Sequence, residues 1–142
     1  MNIDAIKRLL KPWIWEISPQ WVMLTTPLTS TSWDGDAFST TAKTLIDLSA
    51  VFSVPAGVKA VLVRLIARDS GSSGGAYFFG VSPNSTANEL VGAVRLGNIT
   101  NDSVRENTFI CPCDSNGDIY YQISASGAGL LDAWIEINGY LL

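Results

Sequence analysis

The feature that most constrains this chain is a hydrophobic alternation of period two that runs through most of its length. In residues 58–68, VKAVLVRLIAR, the side chains of Val61, Val63 and Leu65 fall on one face of an extended strand. Further segments of this strand pattern lie at 40–52, 76–81, 89–96, 105–111, 118–125 and 130–141. Short strands at regular spacing, with turns between them and no internal helix, are typical of two packed antiparallel sheets. The sequence therefore predicts an all-β protein, an antiparallel β-sandwich of jelly-roll-like type.

The first residues show a different period. Ile3, Ile6 and Leu10 follow the three- and four-residue spacing of one helical face. Pro12 disfavours helical geometry at the residue before it, so the predicted helix covers residues 1–11. A helix of that length is not stable alone in water. We therefore expect this short N-terminal helix to dock through its apolar face on another surface.

The segment after this helix is predicted to be an extended apolar arm. It holds Trp13, Trp15 and Trp21, together with prolines that deny hydrogen bonds to a β-ladder. Such a strip runs either over its own domain or against a neighbouring subunit or partner. The sequence thus predicts two parts: residues 1–32 form the helix and the anchoring arm, and residues 33–142 form the β-sandwich head.

The composition narrows the classes of function. The 142 residues carry a net charge of −4, with 15% charged side chains and no histidine. Proteins that bind nucleic acids normally carry a basic excess, so no nucleic-acid partner is expected. Because histidine is the commonest general base and metal ligand, we expect no enzymatic activity, no catalytic residues, no metal and no cofactor. The chain shows no membrane-length apolar run and no signal peptide, so no membrane partner is expected.

One candidate ligand loop lies at the start of the predicted head. In this loop Trp33 precedes Asp34 and Asp36, so an aromatic ring that can stack on a sugar lies beside two carboxylates. A glycosidase needs a pair of carboxylates across a cleft, whereas a spacing of two around a glycine is ordinary turn chemistry. The loop is therefore a candidate for binding a host-surface glycan and not for catalysis.

Two further motifs are explained by local structure. Asp114, Asn116 and Asp118 place oxygen atoms at alternate positions, as the start of a calcium-binding loop does. The glycine and the closing glutamate of such a loop are missing at their positions, so a hairpin turn is favoured. Cys111 and Cys113 supply half of a zinc site at most, and we interpret them as two small apolar side chains at a strand end.

The strand 58–68 also predicts an interface between subunits. Leu62 and Ile66 share the face of Arg64 and Arg68, opposite the alternating core positions. A strand with apolar groups on both faces is unusual in a sheet that is solvated on one side. We therefore expect Leu62 and Ile66 to lie where three copies of the chain pack around a common axis.

Several turn and strand phrases together resemble a β-sandwich module of tailed-bacteriophage virion proteins. The phrases are Phe52–Ala60 (FSVPAGVKA), Ala67–Gly71 (ARDSG), Cys113–Tyr120 (CDSNGDIY) and Ile137–Tyr140 (INGY). Such modules recur in capsid-decorating, head-fibre and tail-fibre-tip proteins, commonly as homotrimers. The resemblance covers residues 33–142 and carries no catalytic or ligand motif.

The resemblance implies a non-enzymatic virion structural protein, made in the bacterial cytoplasm and incorporated into the phage particle. Its expected partners are two further copies of itself and other virion proteins of the capsid or the tail. A homotrimeric capsid decoration or head-fibre protein, anchored by its N-terminus, is the leading hypothesis. The alternatives are a tail-fibre or tail-accessory attachment protein and a carbohydrate-binding module.

Overall fold

The structure, a computed structural model, describes residues 19–38, 42–69, 77–97, 100, 102–124 and 131–142. Nine strands, one short α-helix and one turn of 3₁₀ helix form within these residues. The strands are β1 (Trp21–Leu28), β2 (Asp34–Phe38), β3 (Thr44–Ile46), β4 (Ala60–Asp69), β5 (Phe78–Ser82), β6 (Gly92–Arg95), β7 (Val104–Pro112), β8 (Ile119–Ser124) and β9 (Leu131–Leu141). The α-helix, α1, is Leu48–Phe52, and the 3₁₀ turn is Thr31–Trp33.

The strands form two antiparallel sheets with jelly-roll topology. The five-stranded sheet has the order β1-β9-β4-β7, with β2 also paired to β9, and the four-stranded sheet has the order β3-β8-β5-β6. The pairs β2·β9, β3·β8, β4·β7 and β5·β6 are nested like the rungs of one long hairpin. That hairpin is rolled so that its rungs alternate between the sheets. The prediction of an all-β, jelly-roll-like sandwich is confirmed.

The core lies between the two sheets and follows the alternation of the strands. On β4 the side chains of Val61, Val63, Leu65 and Ala67 are all fully buried. They meet Ile135 and its alternate neighbours on β9, together with inward side chains of β5, β6 and β8. Because successive side chains point to opposite faces, the intervening residues of β4 form the outer face of the five-stranded sheet.

The structure differs from the prediction at the arm. Residues 21–28 are the strand β1, which pairs with the C-terminal half of β9, so Trp21 belongs to a sheet of the sandwich. The predicted boundary between residues 32 and 33 therefore falls between two strands that both pair with β9. Pro27 is tolerated because β1 lies at the sheet edge, and the pairing register shifts between Met23 and Leu28.

A second difference lies in the segment 40–52, which was predicted as strand only. β3 accounts for its middle, but Leu48–Phe52 forms α1. The carboxylate of Asp47 accepts a hydrogen bond from the amide of Ala50 at 2.9 Å and so caps the start of this helix. The predicted N-terminal helix, residues 1–11, lies outside the described residues.

Candidate functional site

The outer face of the five-stranded sheet carries two adjacent rows of apolar residues. In the first row, Trp21 on β1 pairs with Leu141 on β9, which pairs with Ala60 on β4, which pairs with Pro112 on β7. The second row runs Met23, Gly139, Leu62 and Ile110 across the same strands. Residues directly opposite each other in an antiparallel sheet share a face. We call these eight residues the apolar band.

The members of the apolar band at its two edges are the most exposed. Met23 is 63%, Ile110 53% and Trp21 41% exposed, and Leu62 is half-buried between them. The sulfur of Met23 lies over Gly139, where a Cβ atom would be only 3.3 Å from it. The same Cβ atom would lie 2.8 Å from the carbonyl oxygen of Val22, so the close approach of β1 to β9 requires glycine at this position. Ala60 and Gly139 are buried, so the exposed part of the band comes from its other six members. Exposed apolar surface of this kind marks a place where another surface packs.

Rows of charged residues follow the apolar band along the same face. The guanidinium of Arg64 donates to the carboxylate of Glu136 at 2.9 Å and to that of Glu106. The hydrogen bond to Glu106, followed in size of effect by the one to Glu136, raises the pKa of Arg64 above its ordinary value. Further along, Nε of Arg68 donates to Asp132 at 2.7 Å. Arg64 and Arg68 are therefore paired with carboxylates across the strands.

Both residues of the predicted subunit interface lie on this outer face. Leu62 is part of the apolar band, and Ile66 lies four residues further along β4, opposite Trp134. Arg64 separates them, so they belong to different rows of the sheet. Both side chains are half-buried. The structure confirms that β4 has apolar groups on both faces, while their role in a trimer stays a prediction.

The candidate ligand loop is divided by the fold. Trp33 is 6% exposed, and its ring stacks on Phe38 at 4.8 Å and on Phe79 at 5.6 Å, with Tyr121 edge-on. Trp33 is thus a core residue, which corrects the prediction that its ring is available to a sugar. Asp34 and Asp36 lie on β2 and are exposed.

The motif at residues 114–118 forms a turn held by its own carboxylates. Oδ1 of Asp114 accepts hydrogen bonds from the amides of Asn116 at 2.8 Å and Asp118 at 3.0 Å. Oδ1 of Asp118 accepts from the amide of Leu48, the first residue of α1, at 3.0 Å. Gly117 has φ +91°, a conformation that favours glycine. The favoured interpretation of this motif as a turn is confirmed, because these carboxylate oxygens hold backbone amides.

This turn packs against the Pro-Ala-Gly turn of residues 55–57 and the end of β9. A Cβ atom at Gly117 would lie 2.9 Å from the amide nitrogen of Gly57. The amide of Cys113 donates to the carbonyl of Lys59 at 2.9 Å, and the amide of Lys59 donates to the carbonyl of Leu141 at 2.7 Å. We call the contact of residues 55–59 and 113–118 the loop junction. It joins α1, β4, β7, β8 and β9 at one end of the sandwich.

Replacement of Asp118 by alanine tests the loop junction. The variant leaves the amide of Leu48 without its carboxylate acceptor, so we expect the free energy of unfolding to fall by about 1–2 kcal/mol. The measurement is urea unfolding followed by circular dichroism. Asp36→Ala, at an exposed position of β2, is the matched control and should stay within about 0.5 kcal/mol of the wild type. Equal stability of the two variants would contradict the assigned bond.

Cys111 is buried, Cys113 is half-buried, and no disulfide joins the two thiols. Burial raises the pKa of Cys111 to about 12, with a further contribution from Cys113. Burial, followed by the charges of Asp114 and Asp118, raises the pKa of Cys113 to about 12. At neutral pH both thiols are protonated and therefore poor nucleophiles. This agrees with the interpretation of both residues as small apolar side chains.

These raised thiol pKa values predict an alkaline loss of stability. In the unfolded chain the thiols ionise near their ordinary pKa of 9.0, whereas in the folded protein they hold their protons to about 12. The free energy of unfolding is therefore expected to fall as the pH rises above 9.

At pH 8 we expect slow labelling of both thiols by a disulfide reagent in the native protein and fast labelling in denaturant. Rapid labelling of the native protein would contradict the assignment.

Other predicted site residues lie partly outside the described residues. Of the predicted anchoring residues Ile3, Ile6, Leu10, Trp13, Trp15 and Trp21, only Trp21 is described, at the first position of β1. In the described ranges no group of three or more potential metal-ligating side chains comes together. No helix among the described residues has the length and apolar character needed to cross a membrane.

Comparisons with known proteins give a structural likeness but no family. A scan against protein-family models finds no match, and a search among curated proteins finds no relative. Among solved structures, the chain is similar to the coat protein of Tobacco streak virus, with 11% sequence identity and a TM-score of 0.41. The match covers 88% of this chain and 85% of that chain. This likeness assigns no function to the chain.

Proposed function

We propose that this protein is a non-enzymatic structural protein of a virion. In this proposal it is a homotrimeric capsid decoration or head-fibre protein of a tailed bacteriophage. Its β-sandwich head forms the trimer, and its N-terminal residues anchor it to the particle. Its partners are other copies of the chain and capsid or tail proteins.

The observation that carries the proposal is the loop junction. Two of the four phrases that resemble phage virion modules, at 52–60 and 113–120, are joined there by the bond from Cys113 to Lys59. A third phrase, 137–140, ends beside Leu141, whose carbonyl accepts from the amide of Lys59. These phrases are distant in sequence but form one structural unit. Phrases that belong to one structural module are expected to lie together in the fold. Their contact at the loop junction therefore supports the resemblance on which the proposal rests.

The fold and the chemistry of the described residues are compatible with a structural role. Double-sheet jelly rolls are recurrent in viral capsid and lectin domains, although a fold alone does not decide function. The carboxylates of Asp114 and Asp118 hold backbone amides, and the thiols of Cys111 and Cys113 are protonated. The most distinctive exposed feature of the described residues is a surface, the apolar band. A function exercised through surfaces therefore fits these residues best.

A carbohydrate-binding module is the weaker candidate. Binding modules for sugars commonly present aromatic rings to solvent, and the aromatic of the candidate ligand loop, Trp33, is buried. Trp134 is half-buried over Gly35, and Trp21 lies in the apolar band. A host-surface glycan as partner therefore has less support than a protein surface.

The experiment that tests the proposal is a quantitative inventory of purified particles. Phage particles are banded on a density gradient, and their proteins are counted by mass spectrometry against the major coat protein. We expect this chain in a fixed ratio to that protein, with labelled antibodies marking either the capsid or the tail. If the chain stays in the cell lysate and the banded particles lack it, the proposal is wrong.

The anchoring part of the proposal has its own test. Ile6→Glu and Leu10→Glu place charges on the predicted apolar face of the N-terminal helix. We expect both variants to fold but to be lost from the banded particles. Leu45→Glu, the same kind of change at an exposed position of β3, is the control and should be retained. Retention of all three variants would overturn the anchor.

A further inference from the structure

We propose that the apolar band is the surface through which two copies of this chain bind each other directly. Packing of the band on the same band of a second copy is a two-fold contact that closes at two chains, so this inference goes beyond the proposed function and is separate from its three-fold contact. Four strands contribute to the band, and none of its eight positions is charged. The solvent-facing positions of an antiparallel sheet are normally polar, so two adjacent rows without a charged residue are unusual for a surface that faces water.

The size of the face fits a partner of the same dimensions. Strands spaced about 4.8 Å apart and rows spaced about 7 Å apart give the apolar band a footprint of about 260 Å². The whole outer face, five rows deep from Trp21 to Arg68, covers about 650 Å² on the same spacings. A stable interface of standard size uses about 800 Å² from each partner, with an apolar centre and a polar rim. The outer face approaches this area, with the apolar band at one end and the ion pairs of Arg64 and Arg68 further along it.

The charges on the face favour a copy of the same chain over a strongly charged partner. Arg64 is bound by Glu136 and Glu106, and Arg68 is bound by Asp132. A basic or acidic partner would compete with these ion pairs instead of finding unpaired charges. A second copy brings the same apolar band and the same ion pairs, so Arg64 and Arg68 keep their partners in the contact.

The test uses sedimentation velocity of the full chain over about a hundredfold range of concentration. We expect a species larger than the 15.3 kDa of one chain, with the population of single chains rising on dilution. Met23→Glu and Ile110→Glu each place a carboxylate in the band at a position that is already exposed. Burial of an unpaired carboxylate is costly, so we expect about a hundredfold weaker association for each.

Leu45→Glu is the matched control. Leu45 is 47% exposed, close to Ile110, but it lies on β3 in the other sheet. Its variant should associate like the wild type. A wild type that sediments as a single chain at every concentration would overturn the inference, as would band variants that associate as tightly as Leu45→Glu. Equal weakening in all three variants would also overturn it, because the effect would then not belong to the band.

A second measurement needs no variant. Peroxide oxidises an accessible methionine, and Met23 and Met1 are the two methionines of the chain. We expect the oxidation rate of Met23, followed by mass spectrometry with Met1 as internal reference, to fall as protein concentration rises. A rate that does not depend on concentration overturns the inference. A chain that associates through the band but is missing from particles leaves the inference standing and removes the virion proposal.

Discussion

Replacement of Trp33 by alanine is expected to lower the free energy of unfolding by about 3–5 kcal/mol, the usual range for removal of a buried tryptophan. The ring lies among Phe38, Phe79 and Tyr121, where it fills the space between the two sheets near β2. Its removal leaves a cavity and three aromatic neighbours without their contacts. Domains of this kind are stable by only about 5–15 kcal/mol, so much of the stability would be lost.

The measurement is denaturant unfolding at fixed protein concentration. Leu45→Ala is the control, because it removes a large side chain that is half exposed, and it should cost less than about 1 kcal/mol. Trp33→Phe keeps a stacked ring and should fall between the two. If Trp33→Ala were as stable as Leu45→Ala, the ring would not be part of the core.

Replacement of Gly35 by alanine is expected to cost about 2–4 kcal/mol, from backbone strain and overpacking together. Gly35 has φ +107°, a conformation that side chains rarely adopt. A Cβ atom there would lie 2.6 Å from Cζ2 of Trp134, whose ring crosses the glycine on the outer face. The added methyl group would therefore push the indole away from β2.

Gly57→Ala separates these two causes. Gly57 also has a positive φ, +76°, but a Cβ atom there meets nothing within 4 Å. Its variant should show the strain alone, about 1–2 kcal/mol. In a Trp134→Ala background the cost of Gly35→Ala should fall towards that value, because the overlap is removed. An unchanged cost in that background would contradict the role of the indole.

Much of the fold could be predicted from the alternation, because the two-residue period directly states which side chains face the core. The strands β4 to β9 lie within a few residues of their predicted bounds. α1 was missed because Leu48 and Phe52 are four residues apart, a spacing that fits two strand periods and one helical turn equally well. Only the cap at Asp47 distinguishes the two, and it is a short-range signal.

The candidate site was predictable in part. The face of Leu62 follows from β4 alone, but its neighbours in the apolar band come from strands distant in sequence. Their register depends on an irregularity in the β4·β9 pairing between Leu62 and Val63, which sets Gly139 opposite Leu62. A shift of one residue would turn the side chains to the other face, and periodicity alone does not place such a shift. Trp33 was misplaced for a related reason, since its polar neighbours gave no sign of the rings that cover it.

The position of β9 in the sheet has a consequence for the folding of this protein during its synthesis on the ribosome. β9 pairs with β1, β2 and β4, all of which are synthesised long before it. At a synthesis rate of about 5–20 residues per second, β1 is made on the order of ten seconds before β9. Until β9 is made, β1, β2 and β4 lack the strand with which all three pair. Pairings so distant in sequence also form slowly. Synthesis at lower temperature or with a holding chaperone should therefore raise the yield of soluble protein.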